Sequence, residues 1–429
     1  MRLPRLLRVR QHFPNRALPD VATAVRRQME SAAWIAPVRP GARIAIGVGS
    51  RGISNIATMA RAVVDFWKSR GARPFLIPVM GSHGAATAEG QADVLAHYGI
   101  IEQTMGAPVV SSLEVVPLGS TPEGIEVVMD RTAFESDGVM LLSRVKWHTD
   151  FEGKLESGIH KMMAIGLGKF AGAQRYHTFA VRMGLEQVVR SVGRKVLATG
   201  KMLGGLAILE DAFHSTAEVH ALGVEDMERS EEALLARVKS WAPRIPFREI
   251  DLLIVDQMGK NISGAGLDTK IVNRSVTGEN NVWPNAPRIL RIFVRDLSPL
   301  SYGNAVGVGM ADVITDQLYH KIDPVPTQLN ALTASTTRMC ATPVHFRNDR
   351  ICLEKVVPTL GRLDTGDATL VWIRHTLEID ELMASENLRA EIEANPMLEI
   401  AGHPRELEFG PDGSLVEMLA AETEALAVH

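Results

Sequence analysis

The chain has 429 residues, 46% of them hydrophobic and 22% charged, with a formal net charge of −4 at pH 7. That length favours two domains, and the charge argues against a general nucleic-acid binder, which carries a basic face. Two cysteines, Cys340 and Cys352, are too few for an iron–sulfur cluster or a cysteine-rich zinc site and suit reduced thiols.

No apolar run approaches the roughly 18 residues that span a bilayer. The N-terminus (MRLPRLLRVRQHFPNR) is arginine-rich and acid-free until Asp20 but has no apolar signal core, so it reads as a first strand or an ordered arm. The expectation is a soluble, cytoplasmic protein with neither membrane nor nucleic acid as partner.

Residues 43–47 (RIAIG) read as a short buried strand. The loop Val48-Gly49-Ser50-Arg51-Gly52-Ile53 leads to a helix from about Asn55 to Arg70, with Ile56, Met59, Val63 and Phe66 at helical spacing and Gly71 as its stop. Residues 73–80 form the next strand, Gly81-Ser82-His83-Gly84 the next loop, and Thr87 caps a helix ending near Gly99. This rhythm implies parallel strands with right-handed crossovers, which puts Arg51 and His83 on one sheet edge.

Further strands are expected near 108–111, 124–129, 138–143 and 204–209, and helices near 169–191 and 225–242. Residues 251–256 (DLLIVD) read as a buried strand, and the glycine-rich run 257–266 after it as the hinge between domains. Beyond it, strands are expected near 288–295, 304–308 and 368–373, and helices near 311–332 and 377–394. The fold class is α/β: two α/β domains, 1–265 for cofactor binding and catalysis and 266–429 closing over it, with largely parallel sheets and the active site in the cleft between them.

Candidate chemistry gathers at four places. Gly47–Gly52 matches G-x-G-x-x-G between a strand and a helix, where backbone N–H groups cradle phosphate, and Arg51 adds a forked cation for carboxylate or phosphate. The acidic residue that a dinucleotide site wants after the second strand is absent. His83 follows the second strand. The segment Lys146-Trp147-His148 follows the strand at 138–143, and His160, Lys161 and His177 come after it. Their spacing fits no familiar zinc pattern, and Lys161 beside Met162 and Met163 reads as a partly buried amine. Gln257 and Lys260 form a pair suited to one carboxylate and one oxygen of a small substrate. In each case an ordinary turn, cap or surface residue is the competing reading.

Together these loops resemble the nickel-dependent lactate racemase family, over roughly residues 40–265. The likeness rests on order and spacing: Arg51, Gly81-Ser82-His83, Lys146-Trp147-His148, then Lys161 and His177 separated by 177 − 161 = 16, then Gln257 and Lys260. It implies a racemase or epimerase of a 2-hydroxy acid that uses nickel and a nickel-pincer nucleotide, a pyridinium mononucleotide loaded by cofactor-biosynthesis proteins. His177 is implied as the nickel ligand and Lys161 as the amine that can tether the cofactor. Ser50 and Arg51 are implied near its phosphate, His83 and His148 as the catalytic histidines, and Arg51, Gln257 and Lys260 as the substrate clamp.

The chemistry suits those residue types. A 2-hydroxy acid's Cα–H is too weakly acidic for a simple base, so a hydride and the hydroxyl proton leave together and return to the other face. The first loop lacks the family's acid and proline, and the gap from His148 to Lys161 is about three residues longer, with Glu152 and Glu156 inside it. Both departures lie where substrate would be read, and they point to another 2-hydroxy acid or a sugar acid rather than lactate. The alternatives are an NAD-dependent oxidoreductase using the Gly47–Gly52 loop and a non-enzymatic binder of a carboxylated or phosphorylated metabolite.

Overall fold

The computed structural model describes residues 2–49 and 52–419. The chain forms two compact units. One runs from Pro14 to Ala242, and the other joins the segment up to Phe13 to the chain from Pro243 onward. Proline stands just after each crossing, where its fixed φ and missing N–H oppose continuation of a helix or a central strand. The division expected at 265/266 differs from this one. The strand Glu249–Met258 is hydrogen-bonded on both sides to strands of the second unit, so it and the glycine-rich run belong wholly to that unit.

The first unit holds a five-stranded sheet in the order Arg73–Pro78, Arg43–Val48, Gly138–Arg144, Met202–Glu210, Thr216–Gly223. The first four strands run parallel and the last is antiparallel. Strand Gly138–Arg144 is apolar on both faces. Val139 and Leu141 pack with Val188, Val192 and Leu235 on one side, while Met140 and Leu142 pack with Val25, Met59 and Val63 on the other. Each such side chain contributes about 1.5–3 kcal/mol through burial, so the strand sits at the centre of three layers. Helix Ile56–Ser69 buries the face that its spacing marked, and Thr87 caps its helix by accepting the Gly90 N–H.

The second unit holds an eight-stranded sheet in the order Val344–Phe346, Val313–Thr315, Arg288–Leu297, Glu249–Met258, Leu370–Ile373, Glu381–Ser385, Leu6–Gln11, Leu398–Ile400. Its first five strands are parallel and the rest antiparallel. The class is therefore α/β with largely parallel sheets, as expected. Among the described residues no helix is long and apolar enough to cross a membrane.

Several elements differ from their sequence reading. The expected helix at 169–191 is two helices, Lys169–Met183 and Leu185–Leu197, broken where Gly184 takes φ +82°. The helix expected at 311–332 is the strand Val313–Thr315 followed by Asp316–Lys321 and Pro324–Thr333, with Asp323 capping the second helix ahead of its proline. Within 377–394 only Arg389–Ala394 is an α-helix, because Glu381–Ser385 pairs with Leu6–Gln11 instead. Residues 304–308 turn rather than extend, and 108–111 makes a single bridge at Val109.

Candidate active site

Strands Arg73–Pro78, Arg43–Val48 and Gly138–Arg144 are parallel neighbours, so the loops after all three open on one sheet edge. This is the edge where an α/β sheet keeps its ligands. In the middle loop, Ser50 and Arg51 lie outside the described residues. Either side of them the loop is held. Gly49 faces the Met162 side chain, the Gly52 N–H donates to the Tyr98 hydroxyl at 3.1 Å, and the Gly52 carbonyl accepts from Arg144 at 3.1 Å. Arg144 is paired with Glu210 at 2.5 Å, and Glu210 also accepts the Ser54 N–H at 2.8 Å.

The loop after Gly138–Arg144 carries His148. Its two ends meet in a bridge between Lys146 and Ser157. Inside it Glu156 is buried and faces inward: one oxygen accepts the His148 backbone N–H at 2.5 Å, and the other accepts the Gly153 N–H at 3.0 Å and pairs with Lys239 at 2.5 Å. Burial pushes the Glu156 carboxyl above the ordinary carboxylate range, against the lowering effect of these hydrogen bonds and of Lys239. Glu186 accepts the Lys154 and Leu155 N–H groups. The sequence placed Glu156 where substrate would be read; the structure turns it to the loop's own backbone instead.

The His148 ring is fixed on both nitrogens. Nδ1 accepts the Asp150 N–H at 3.0 Å, Nε2 lies 2.5 Å from Lys161 Nζ, and the Phe151 ring sits 4.4 Å away. A neutral imidazole has one acceptor nitrogen, so the Asp150 N–H and a charged Lys161 amine compete for it. Lys161 ends a short helical turn, and a π-turn, Met162–Gly166, follows directly, closed by the Leu167 N–H donating to the Met162 carbonyl. Such one-residue expansions of a helix recur at functional sites.

His177 lies on helix Lys169–Met183 and is half-buried. Burial lowers its pKa, the Lys161 charge lowers it further, and Asp150 opposes the shift. The structure thus brings His148, Lys161 and His177 into one electrostatic neighbourhood. The start of that helix is fixed by fully buried Lys169 at φ +53°, whose Nζ pairs with Asp130 at 2.9 Å and donates to the Pro78 carbonyl at 2.6 Å.

His83 is half-buried in the loop after Arg73–Pro78. Fully buried Gln91 donates to the Gly81 and His83 carbonyls at 2.8 and 3.3 Å, which shapes that loop from below. A Cβ on Gly166 would lie 2.4 Å from Val79, and one on Gly81 3.0 Å from Ile165, so both glycines allow the π-turn and the His83 loop to pack closely. The turn that follows Lys161 and the loop that carries His83 are therefore neighbours.

Gln257 and Lys260 lie in the other compact unit, at the end of strand Glu249–Met258 and in the turn after it. The Gln257 N–H donates to the Arg374 carbonyl at 2.9 Å, and Lys260 Nζ to the Gly264 carbonyl at 2.6 Å.

Burial and the Lys161 charge both disfavour protonation of His177, and the unprotonated imidazole is the form that binds a metal. Among the described residues no three His, Cys, Asp or Glu side chains converge as a metal site. Sequence reasoning missed what stands behind these groups. His160, fully buried, is bonded to buried Glu231 at 2.8 Å, and Lys239 reaches the His148 loop through Glu156. Its only signal was a His next to the candidate lysine.

No protein-family model matches the chain, and no curated protein does. Among solved structures, a structural-genomics target from Thermotoga maritima is similar at 12% identity and a TM-score of 0.52, over 84% of this chain and 97% of that one. The lactate racemase apoprotein from Thermoanaerobacterium thermosaccharolyticum is matched at 11% identity and a TM-score of 0.48, over 83% of this chain and 91% of that one. At 12% identity the likeness to the Thermotoga maritima protein is one of fold alone, and the chemistry rests on the chain's own residues.

Proposed function

We propose that the protein is a racemase or epimerase of a 2-hydroxy acid, with a nickel-pincer nucleotide held at Lys161 and His177. One observation supports the reading: His148 Nε2 lies 2.5 Å from Lys161 Nζ in the segment after strand Gly138–Arg144, and the Lys161 charge acts on His177. Bound there, the cofactor would accept and return a hydride at the substrate C2. His148, whose Nε2 faces Lys161 Nζ, is the group that exchanges a proton with the substrate oxygen. His83, on the neighbouring loop of the same edge, serves the opposite enantiomer. Arg51, in the loop after the neighbouring strand Arg43–Val48, supplies a cation for the substrate carboxylate, which keeps the keto acid in place between the two half-reactions.

The test is to isolate the protein from cells that also make the cofactor, measure nickel and intact mass, and incubate it with a panel of 2-hydroxy and aldonic acids. The expected result is stereochemical inversion of one acid class, with a deuterium placed at C2 retained in the product. Absence of both nickel and nucleotide, together with no inversion across the panel, overturns the reading.

A further inference from the structure

Helix Met227–Trp241 touches the His148–Lys161 segment at two separate points. Glu231, fully buried, takes the His160 backbone N–H at 3.1 Å and His160 Nδ1 at 2.8 Å on one oxygen. Its other oxygen leaves no room for a side chain at position 158, where a Cβ on Gly158 would lie 1.8 Å away. Lys239 stands 239 − 231 = 8 residues further along the same helix, a little over two turns. It pairs with Glu156, donates to the Gly153 carbonyl at 2.9 Å, and lies 5.6 Å from the Trp147 ring centre. Glu156 in turn holds the His148 N–H.

The helix therefore fixes the backbone amides of His148 and His160, which frame the His148–Lys161 contact. His160 Nε2 and Glu231 Oε1 have no hydrogen-bond partner among the described residues. A buried pair that leaves two polar atoms unsatisfied is poorly suited to a purely stabilising role.

We propose that Glu231 and the Glu156–Lys239 pair are positioning residues that set how His148 meets Lys161. With both backbone points held from behind, only the side-chain torsions of His148 and Lys161 remain to vary. The inference rests on the reading of His148 and Lys161 as reacting groups, but its test needs neither cofactor nor substrate.

The experiment uses the full chain with 15N-labelled histidine and compares wild type with Glu231→Ala, Glu231→Gln, Lys239→Met and Lys239→Arg. Imidazole nitrogen shifts read the His148 tautomer, and amide hydrogen exchange reads the two backbone anchors. Wild type is expected to show His148 as a single tautomer with protected amides at 148 and 160. Lys239→Met should mix the tautomers and lower protection at 148 at least tenfold, and Glu231→Ala should do the same at 160. The glutamine and arginine variants, which keep the acceptor and the charge, should restore the wild-type pattern. Should Glu231→Ala fail to fold, Lys239→Met carries the test, because Lys239 is only partly buried. An unchanged His148 tautomer and unchanged protection in Lys239→Met overturn the proposal. Lack of racemisation with the tautomer pattern intact would count against the proposed function alone.

Discussion

His148 and Lys161 meet nitrogen to nitrogen, with Nε2 and Nζ 2.5 Å apart, while the other ring nitrogen of His148 is committed to the Asp150 amide. The contact joins a proton-transfer group to an amine, and each depends on the other for its place. Replacing His148 or His83 by alanine is expected to lower turnover of the racemised acid by about 100- to 10,000-fold, the range for loss of a general acid or base. Steady-state rates measured in both directions check this, and unchanged rates in either variant would remove that histidine from the reaction.

Gly84 takes φ +64°, and a Cβ there would lie 2.5 Å from the Gly90 carbonyl carbon and 2.6 Å from the Gln91 nitrogen. Gly84→Ala therefore strains the backbone and pushes the His83 loop off the helix that shapes it. The expected loss is about 1–3 kcal/mol of stability, with kcat falling more than the unfolding midpoint alone accounts for. Denaturation and kinetics on the same preparation separate the two effects.

Lys169 and Asp130 form a fully buried ion pair between the first turn of helix Lys169–Met183 and the end of strand Glu126–Asp130. Lys169→Met leaves the carboxylate buried without its partner, and about 3–5 kcal/mol of stability should be lost. Asp130→Asn in the same background removes the stranded charge and should recover part of that loss. A double variant no more stable than Lys169→Met contradicts the account.

Lys239→Met should give a pH-dependent deficit. Burial holds the folded Glu156 pKa above its unfolded value. Its contribution is therefore fully present below the unfolded value and is lost as pH rises through the folded one. Removing Lys239 raises the folded value further, so the loss should be larger at pH 8 than at pH 5. Urea unfolding at the two pH values measures it, and an equal deficit at both would show that Glu156 is not the group responsible.

The parallel strands of the first unit were legible because RIAIG, RPFLIP and GVMLLSR are apolar runs between turn residues. Strand Thr216–Gly223 was missed: it is the antiparallel edge strand, only partly buried, and its pattern mixes Glu and His with small residues. Glu381–Ser385 was misread because Glu, Leu, Met and Ala are good helix formers, and its pairing with Leu6–Gln11 and Leu370–Ile373 makes it a strand. At the site, the residues along the edge could be found by position after a strand. Their supports could not, because Glu231 meets His160 across 71 positions and Lys239 meets Glu156 across 83. Nothing in local spacing announces such a pair.

The two-crossing connectivity also orders events during synthesis. Residues 14–242 form a continuous compact unit and can fold as soon as they are made. The second unit cannot be completed so early, because Leu6 pairs with Ser385, which is made 385 − 6 = 379 residues later. Strand Leu6–Gln11 is thus made long before its neighbours, and it waits with apolar Leu6, Leu7 and Val9 uncovered. Arg5, Arg8 and Arg10, which later pair with Glu386 and Glu381, give that waiting strand the charge that discourages pairing with another chain.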